Sequence, residues 1–415
     1  NRIEGHMIPA LLHAFSKPTS ENFHTLVRSE GVRVWDDKGN EYIDGLGGLW
    51  YCQVGHGRPD LINAITEQLQ KMSSYHTFAP MGSDVSDAAA ERIRSVSPFP
   101  EGRVFLCCSG SESIDTAIKL LRKIPILRKQ SERQIILRRG RGYHGVNIGG
   151  TTMQGIQANR EGWGELFPNV IEIDPTNIES AASIFAEYGE QIAGVVTEPL
   201  QGAGGVFPPP SGYLEGLRRL CDDNGALLVF DEVITGFGRT GNWFASDTYG
   251  VKPDIITFAK GVTSGYQPLG GVLISRTVCD VLESDPDFTF MHGYTYSGHP
   301  AASAAAITNI NIIEDEGLVQ RAEVIGDRLS GGLKALEKDG IFSEVRGVGA
   351  IWAAQVTDAS TEQGLVIRDK MTEMGVICRA INGALAFCPP LVIEENDIDL
   401  IVDTAAKAVE EIAAK

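Results

Sequence analysis

Four short stretches place chemically capable residues directly after apolar runs. Residues 254–258 form one such run, and Ala259, Lys260 and Gly261 follow it. A buried strand there would deliver one ammonium group to a loop at its carboxyl end. Desolvation lowers a lysine's pKa and makes the neutral amine available as nucleophile or base. A lysine that caps the strand and reaches back to solvent fits the same segment. Asp231 and Glu232 close the apolar run 226–230. Such a pair suits a metal site, an acid/base pair or an anchor for a ring nitrogen, but no further carboxylate or histidine cluster completes a metal shell. Ser109-Gly110-Ser111-Glu112 follows the run 104–108 and opens a helical pattern. Small residues there present backbone N–H groups and a positive dipole end to a phosphate, although they also cap ordinary helices. Gly142-Tyr143-His144-Gly145 follows the run 134–137. A tyrosine between glycines can stack on a planar ligand, or can be a buried structural residue.

Phosphate anchor, aromatic stack, buried carboxylate and buried lysine together describe a site for pyridoxal 5'-phosphate. The lysine would form the Schiff base, and the carboxylate would keep the pyridinium nitrogen protonated so that the ring acts as an electron sink. No metal is required. The glycine-rich run Gly236 to Gly241 lacks a following Lys-Ser/Thr and is no nucleotide-binding P-loop.

The elements that must position these residues alternate. Strand-like runs at 104–108, 134–137, 192–197, 226–230, 254–258 and 271–274 are interleaved with amphipathic helices at 60–72, 84–96, 112–122, 178–188 and 212–224. That order predicts an α/β domain with a mostly parallel sheet, whose ligands lie at the carboxyl ends of the strands. Long helical stretches at 301–316, 318–338, 361–374 and 395–414 then predict a smaller α/β domain. The expected division is an N-terminal segment 1–50 joining the small domain, a large cofactor domain 51–299 and a small domain 300–415. Residues 1–6 read as a tag remnant before Met7.

A chain of 415 residues with 43% hydrophobic and 22% charged residues is long enough for two such units. Its net charge of -18 excludes nucleic acid and anionic membrane surfaces as expected partners. No apolar run reaches the length of a membrane span and no signal peptide is visible. Seven cysteines, an odd number, form no disulfide framework, and a reducing cytoplasm is the expected location.

From about Trp35 to the C-terminus, the sequence resembles the class III, or ω-, aminotransferases, which are fold-type I pyridoxal phosphate enzymes. The motifs above carry that resemblance, together with Glu198-Pro199, Gly202-Ala203-Gly204-Gly205, the run Asp231 to Arg239 and the segment His292 to Pro300. The resemblance makes Lys260 and Asp231 the catalytic pair and implies that Gly110 and Ser111, beside Ser109, bind the phosphate. Tyr143 stacks on the ring, with His144 and Glu198 in the same cofactor set, and Val233 packs the other face. Thr295 would complete the phosphate site of a partner subunit, so a homodimer with active sites at its interface is implied.

Departures within the family bear on substrate. Ornithine- and 4-aminobutyrate-type members usually carry glutamine where this chain has Ile234. Ornithine-type members carry an acidic residue at Ala203 and an arginine at Ala386, which here precedes Phe387-Cys388-Pro389-Pro390-Leu391. Without that guanidinium, a dicarboxylate such as 2-oxoglutarate loses a bidentate charge pair. The amine:pyruvate subgroup is the better match, through Gly48-Leu49-Trp50, the run Ser264 to Gly270, and Arg379 before Ala380-Ile381-Asn382-Gly383. Arg379 would pair with the carboxylate of pyruvate or alanine and swing away for an apolar amine. Trp50, Phe15, Phe78 and Tyr143 would line the apolar pocket beside Ala203. The short stretch between Trp163 and Pro199 would alter access to it.

The expected activity is a ping-pong transamination from a small-molecule primary amine or ω-amino acid to pyruvate. The rival expectations are a pyridoxal phosphate aminomutase and a 2-oxoglutarate-dependent ω-amino-acid aminotransferase.

Overall fold

The structure is a computed structural model that describes residues 10–19 and 23–413. The expected tag remnant and Met7 lie outside the described residues. Three short strands come first: β1 (Leu26–Glu30), β2 (Arg33–Asp36) and β3 (Glu41–Asp44). Seven strands form the large sheet: β4 (Arg103–Cys107), β5 (Ile135–Arg139), β6 (Val170–Ile173), β7 (Ile192–Thr197), β8 (Leu227–Asp231), β9 (Ile255–Phe258) and β10 (Gly270–Ile274). Their order is β4-β10-β9-β8-β7-β5-β6. The pairs from β9 to β6 are parallel, whereas β10 runs antiparallel to both β4 and β9. Strands β7 to β10 are buried throughout, as expected for strands covered by helices on both faces.

The covering helices include α1 (Pro59–Lys71), α2 (Asp84–Ser95), α3 (Gly110–Leu127), α4 (Ile178–Tyr188) and α5 (Tyr213–Asn224). Helix α3 starts two residues earlier and ends five later than its sequence pattern, because Ser109 caps it and Pro125 near its end does not stop it. A further helix, α6 (Pro300–Asp315), lies on α1 and α2. Its alanine-rich sequence lets its backbone approach theirs closely.

The C-terminal unit contains α7 (Leu318–Lys338), α8 (Thr361–Glu373), α9 (Glu395–Ala413) and an antiparallel sheet. That sheet is made of β11 (Phe342–Val348), β12 (Ile351–Val356), β14 (Arg379–Ile381) and β15 (Ala384–Phe387), in the order β11-β12-β15-β14. The short strand β13 (Val376–Ile377) pairs in parallel with β3, so the N-terminal strands join the C-terminal unit.

Arg239 ties the two units together. Its guanidinium is fully buried and donates to the carbonyls of Ala350 at 3.1 Å and Pro389 at 2.7 Å, and to Gln53 Oε1. These acceptors pair both terminal nitrogens of a charge that would otherwise be costly to bury, while Nε has no partner among the described residues. Among the described residues, no helix is long and apolar enough to cross a membrane, and no cluster of histidine, cysteine or carboxylates could hold a metal.

Candidate active site

Asp231 is the last residue of β8, and Lys260 lies two residues past the end of neighbouring β9. Lys260 has a left-handed backbone, φ 47°. A lysine holds that conformation only where its surroundings impose it. Here Asn309 of α6 supplies the constraint: its amide donates to the carbonyls of Gly261 at 2.8 Å and Val262 at 2.9 Å. It also accepts from Ser264 Oγ at 2.5 Å. Asn309 is absent from the residues singled out in the sequence, where a lone asparagine on the buried face of an alanine- and isoleucine-rich helix was the available signal. Burial pushes the Lys260 amine below the ordinary lysine range and Arg379 adds to the shift, while Asp231, Glu198 and Cys388 oppose it.

The two adjacent carboxylates do different work. Asp231 Oδ2 meets His144 Nδ1 at 2.7 Å, and its Oδ1 accepts the N–H of Val233 at 3.1 Å. Glu232 points to the other side of the strand, where it accepts from Ser246 N at 2.9 Å, Ala245 N at 2.5 Å and Thr235 Oγ1 at 2.9 Å. Strand alternation separates the pair, so it is neither a metal site nor an acid/base dyad. Burial raises Glu232 to about 7. Glu198 is likewise raised to about 7, first by burial, with His144 lowering it and Asp231 raising it further. Its two oxygens accept the N–H groups of Tyr143 at 2.8 Å and Gly202 at 2.9 Å, which joins the tyrosine loop to the loop carrying Ala203.

At the start of α3, Ser109 Oγ accepts the N–H of Glu112 at 3.1 Å. The N–H groups of Gly110 and Ser111 find no acceptor among the described residues. Ser111 Oγ accepts from Val146 N at 3.0 Å, which leaves its own proton to donate. A Cβ at Gly110 would stand 3.1 Å from both methyls of Val233, so glycine lets the helix start close on that side chain. These donors suit a phosphate, and Asp231 with its histidine suits a ring nitrogen. The residues present therefore fit pyridoxal phosphate.

The substrate set divides. Arg379 on β14 stands directly opposite Ala386 on β15. Arg379 is exposed on this edge strand, and its pKa is lowered by partial desolvation first and by Arg368 second. Trp50 is buried with Leu46, Leu200, Val206, Ile234, Ala386 and Cys388. Tyr143 and Ala203 are half-buried on the two loops that Glu198 joins. Phe15, Phe78 and Thr295 are exposed, at the surface of this chain, and take no part in the contacts around Lys260.

The Aminotransferase class-III family pattern matches residues 14–409. The chain is a class III aminotransferase. One relative of this aminotransferase is the putrescine–pyruvate aminotransferase of Pseudomonas aeruginosa, 33% identical over 94% of this chain and 91% of that protein. A probable γ-aminobutyrate transaminase of rice, Oryza sativa, is 32% identical over 95% of this chain and 85% of that protein. Among solved structures, an (S)-enantioselective ω-transaminase from Thermomicrobium roseum is 37% identical with a TM-score of 0.92, covering 97% of this chain and 96% of that one. An amine transaminase from an uncultivated Pseudomonas species, solved in its PLP-bound form, is 32% identical with a TM-score of 0.94, covering 97% and 99%. The large sheet of this class III aminotransferase and its C-terminal unit are thus the fold-type I transaminase fold.

Proposed function

We propose that this chain is a pyridoxal phosphate-dependent transaminase that moves an amino group from a primary amine or ω-amino acid to pyruvate. The observation that carries the acceptor is the pairing of Arg379 with Ala386. Directly opposed residues of an antiparallel pair share a face, so the guanidinium works from the edge strand over the space a longer side chain at 386 would fill. An edge position leaves it free to turn outward. One guanidinium beside an apolar wall of Trp50, Ile234 and Ala386 suits a monocarboxylate with a small apolar body.

When bound, the cofactor supplies an electron sink for the carbon that bears the amino group. Gly110 and Ser111 at the start of α3 would hold its phosphate. Asp231, oriented by His144, would hold its ring nitrogen protonated, between Val233 and Tyr143. Lys260 Nζ, its basicity lowered by burial, would take the proton from the donor's amino-bearing carbon in the first half of the transfer and give one to the carbon that receives the amino group in the second. Arg379 seats the carboxylate of pyruvate or alanine and turns aside for an apolar amine. The exposed Thr295, Phe78 and Phe15 are proposed to serve the site of a second copy of the chain in a homodimer. Seven free cysteines favour a reducing cytoplasm.

The test is a panel of amine donors offered with pyruvate or 2-oxoglutarate, with alanine and glutamate quantified. Alanine formation from pyruvate should dominate. A clear preference for 2-oxoglutarate would overturn the reading from Ala386 and Arg379. Rearrangement of an amine without any keto acid would identify an aminomutase instead.

A further inference from the structure

An ion pair, Asp44 with His56, stands at the turn that leads into Trp50. The loop that carries this residue turns on left-handed backbone at Gly47 (φ 62°), Gly48 (φ 64°) and Trp50 (φ 66°). Glycine adopts that region freely, whereas a tryptophan must be held in it. On the inner side Trp50 packs against Leu46, Ile234, Ala386 and Cys388. Cys388 in turn lies close enough to Lys260 for each to shift the other's pKa.

The turn itself borders open space at Gly48. A cavity of about 420 Å³ is lined by Asp44, Gly48, Tyr51 and His56 together with Leu26 and Val27 of β1. What spans that side is a set of hydrogen bonds centred on Asp44. Its Oδ1 accepts the N–H of Leu46 at 3.2 Å, and its Oδ2 accepts the N–H of Gly48 at 2.7 Å. The same Oδ2 meets His56 Nε2 at 2.8 Å. The backbone of His56 is fixed by a reciprocal pair of hydrogen bonds with Gly31, at 2.8 and 2.9 Å. Its Nδ1 faces Cys52 Sγ at 4.0 Å. Burial opposes a charge on the ring, but the Asp44 and Cys52 contacts outweigh it and push His56 up to about 10.

We propose that Asp44 and His56 are positioning residues that fix the wall formed by Trp50 and so set the size of amine donor the site accepts. The loop cannot shift outward into the cavity without parting Asp44 from Gly48 or from His56. This inference rests on Trp50 lining the donor pocket. No role in proton transfer is assigned to either residue.

The experiment compares kcat/KM for a linear alkyl amine and an aryl-alkyl amine, each with pyruvate, using the cofactor-loaded enzyme. The variants are His56→Leu, His56→Gln, Asp44→Asn and Trp50→Gly. His56→Leu should shift the aryl-to-linear ratio about tenfold toward the bulky donor, the scale on which pocket shape discriminates apolar substrates. The shift should appear in KM, with kcat for the linear amine changed by less than about threefold. His56→Gln, whose amide still reaches Asp44, should restore the wild-type ratio. Trp50→Gly should shift the ratio in the same direction, and adding His56→Leu to it should shift it no further. If His56→Leu does not fold, Asp44→Asn, which removes the charge and leaves one oxygen where two backbone N–H groups were accepted, should give a shift in the same direction. A ratio unmoved in His56→Leu or Asp44→Asn but moved in Trp50→Gly would overturn the positioning role alone. A ratio unmoved in Trp50→Gly would overturn the assignment of Trp50 as well.

Discussion

Asp231 and Glu232 are neighbours in sequence with the same functional group, yet the strand sends them to opposite environments. Asp231 is held by the N–H of Val233 and by His144, whose Nε2 is buried with no partner among the described residues. Glu232 is consumed by three donors on the loop that follows. The two amide variants should therefore separate cleanly. In Glu232→Gln an NH2 group would face N–H and O–H donors in a fully buried place, and stability should fall by about 2 kcal/mol, the cost of leaving such groups unpaired. In Asp231→Asn the site loses the charge that would keep the ring nitrogen protonated. Turnover should drop by on the order of 100-fold or more while the unfolding midpoint barely changes. Denaturant unfolding and initial rates on both variants check this. Comparable stability losses in the two would contradict the division.

At the scale of elements, a strand carries Lys260 to the site but a helix holds it there. The left-handed turn at Lys260 is pinned by Asn309 of α6, and Ser264, which bonds to Asn309, also accepts the N–H groups of Gln53 at 3.1 Å and Val54 at 3.3 Å. Asn309→Leu would leave two carbonyls and the Ser264 hydroxyl proton without partners in the interior, costing about 1–3 kcal/mol. Because the freed loop carries the proton-transferring amine, kcat should fall about tenfold or more with the KM for amine donor little changed. A fall confined to KM would show that α6 shapes the binding pocket and not the lysine. This contact also marks where sequence reading stops. The strand ends that present Asp231, Lys260, Tyr143 and the Ser109 cap were legible, since each lies where an apolar run meets glycine or small polar residues. The antiparallel direction of β10 was not, because a buried strand between two others looks the same in either sense. Neither were β1 to β3, which are short, with β1 exposed along its whole length. Contacts between distant segments, such as Asn309 with the lysine turn or Arg239 with Pro389, leave no local pattern. The exposure of Phe15, Phe78 and Thr295 follows from no local pattern either.

For the molecule as a whole, several titrating groups favour the same side of neutrality. Glu198 and Glu232 are raised to about 7 and His56 to about 10, so the folded state holds protons there that the unfolded chain has released. Stability from each raised group is complete below its unfolded value and is lost as pH rises through the folded one. That places losses between about 4.5 and 7 for the glutamates and between about 6.5 and 10 for the histidine. Groups with lowered values act in the opposite sense. His292 is depressed to about 4, by burial first and then by Lys119, and Asp36 to about 2 through its hydrogen bonds to Asn40 and Tyr42. Their contributions are present above the unfolded values and vanish as pH falls through the folded ones. Net charge reinforces the alkaline loss, because a chain at -18 near neutrality grows more negative as pH rises, and its self-repulsion is least near a pI of about 4.9. The cofactor-loaded enzyme should therefore show its highest thermal midpoint on the acid side of pH 7, with a decline through pH 10. His56→Gln should flatten the stretch between about 8 and 10, since the histidine's term is then gone. Thermal unfolding at fixed ionic strength from pH 4 to 10 measures both curves. A wild-type maximum above pH 8, or an unchanged alkaline slope in His56→Gln, would show that His56 does not carry its charge in the folded enzyme.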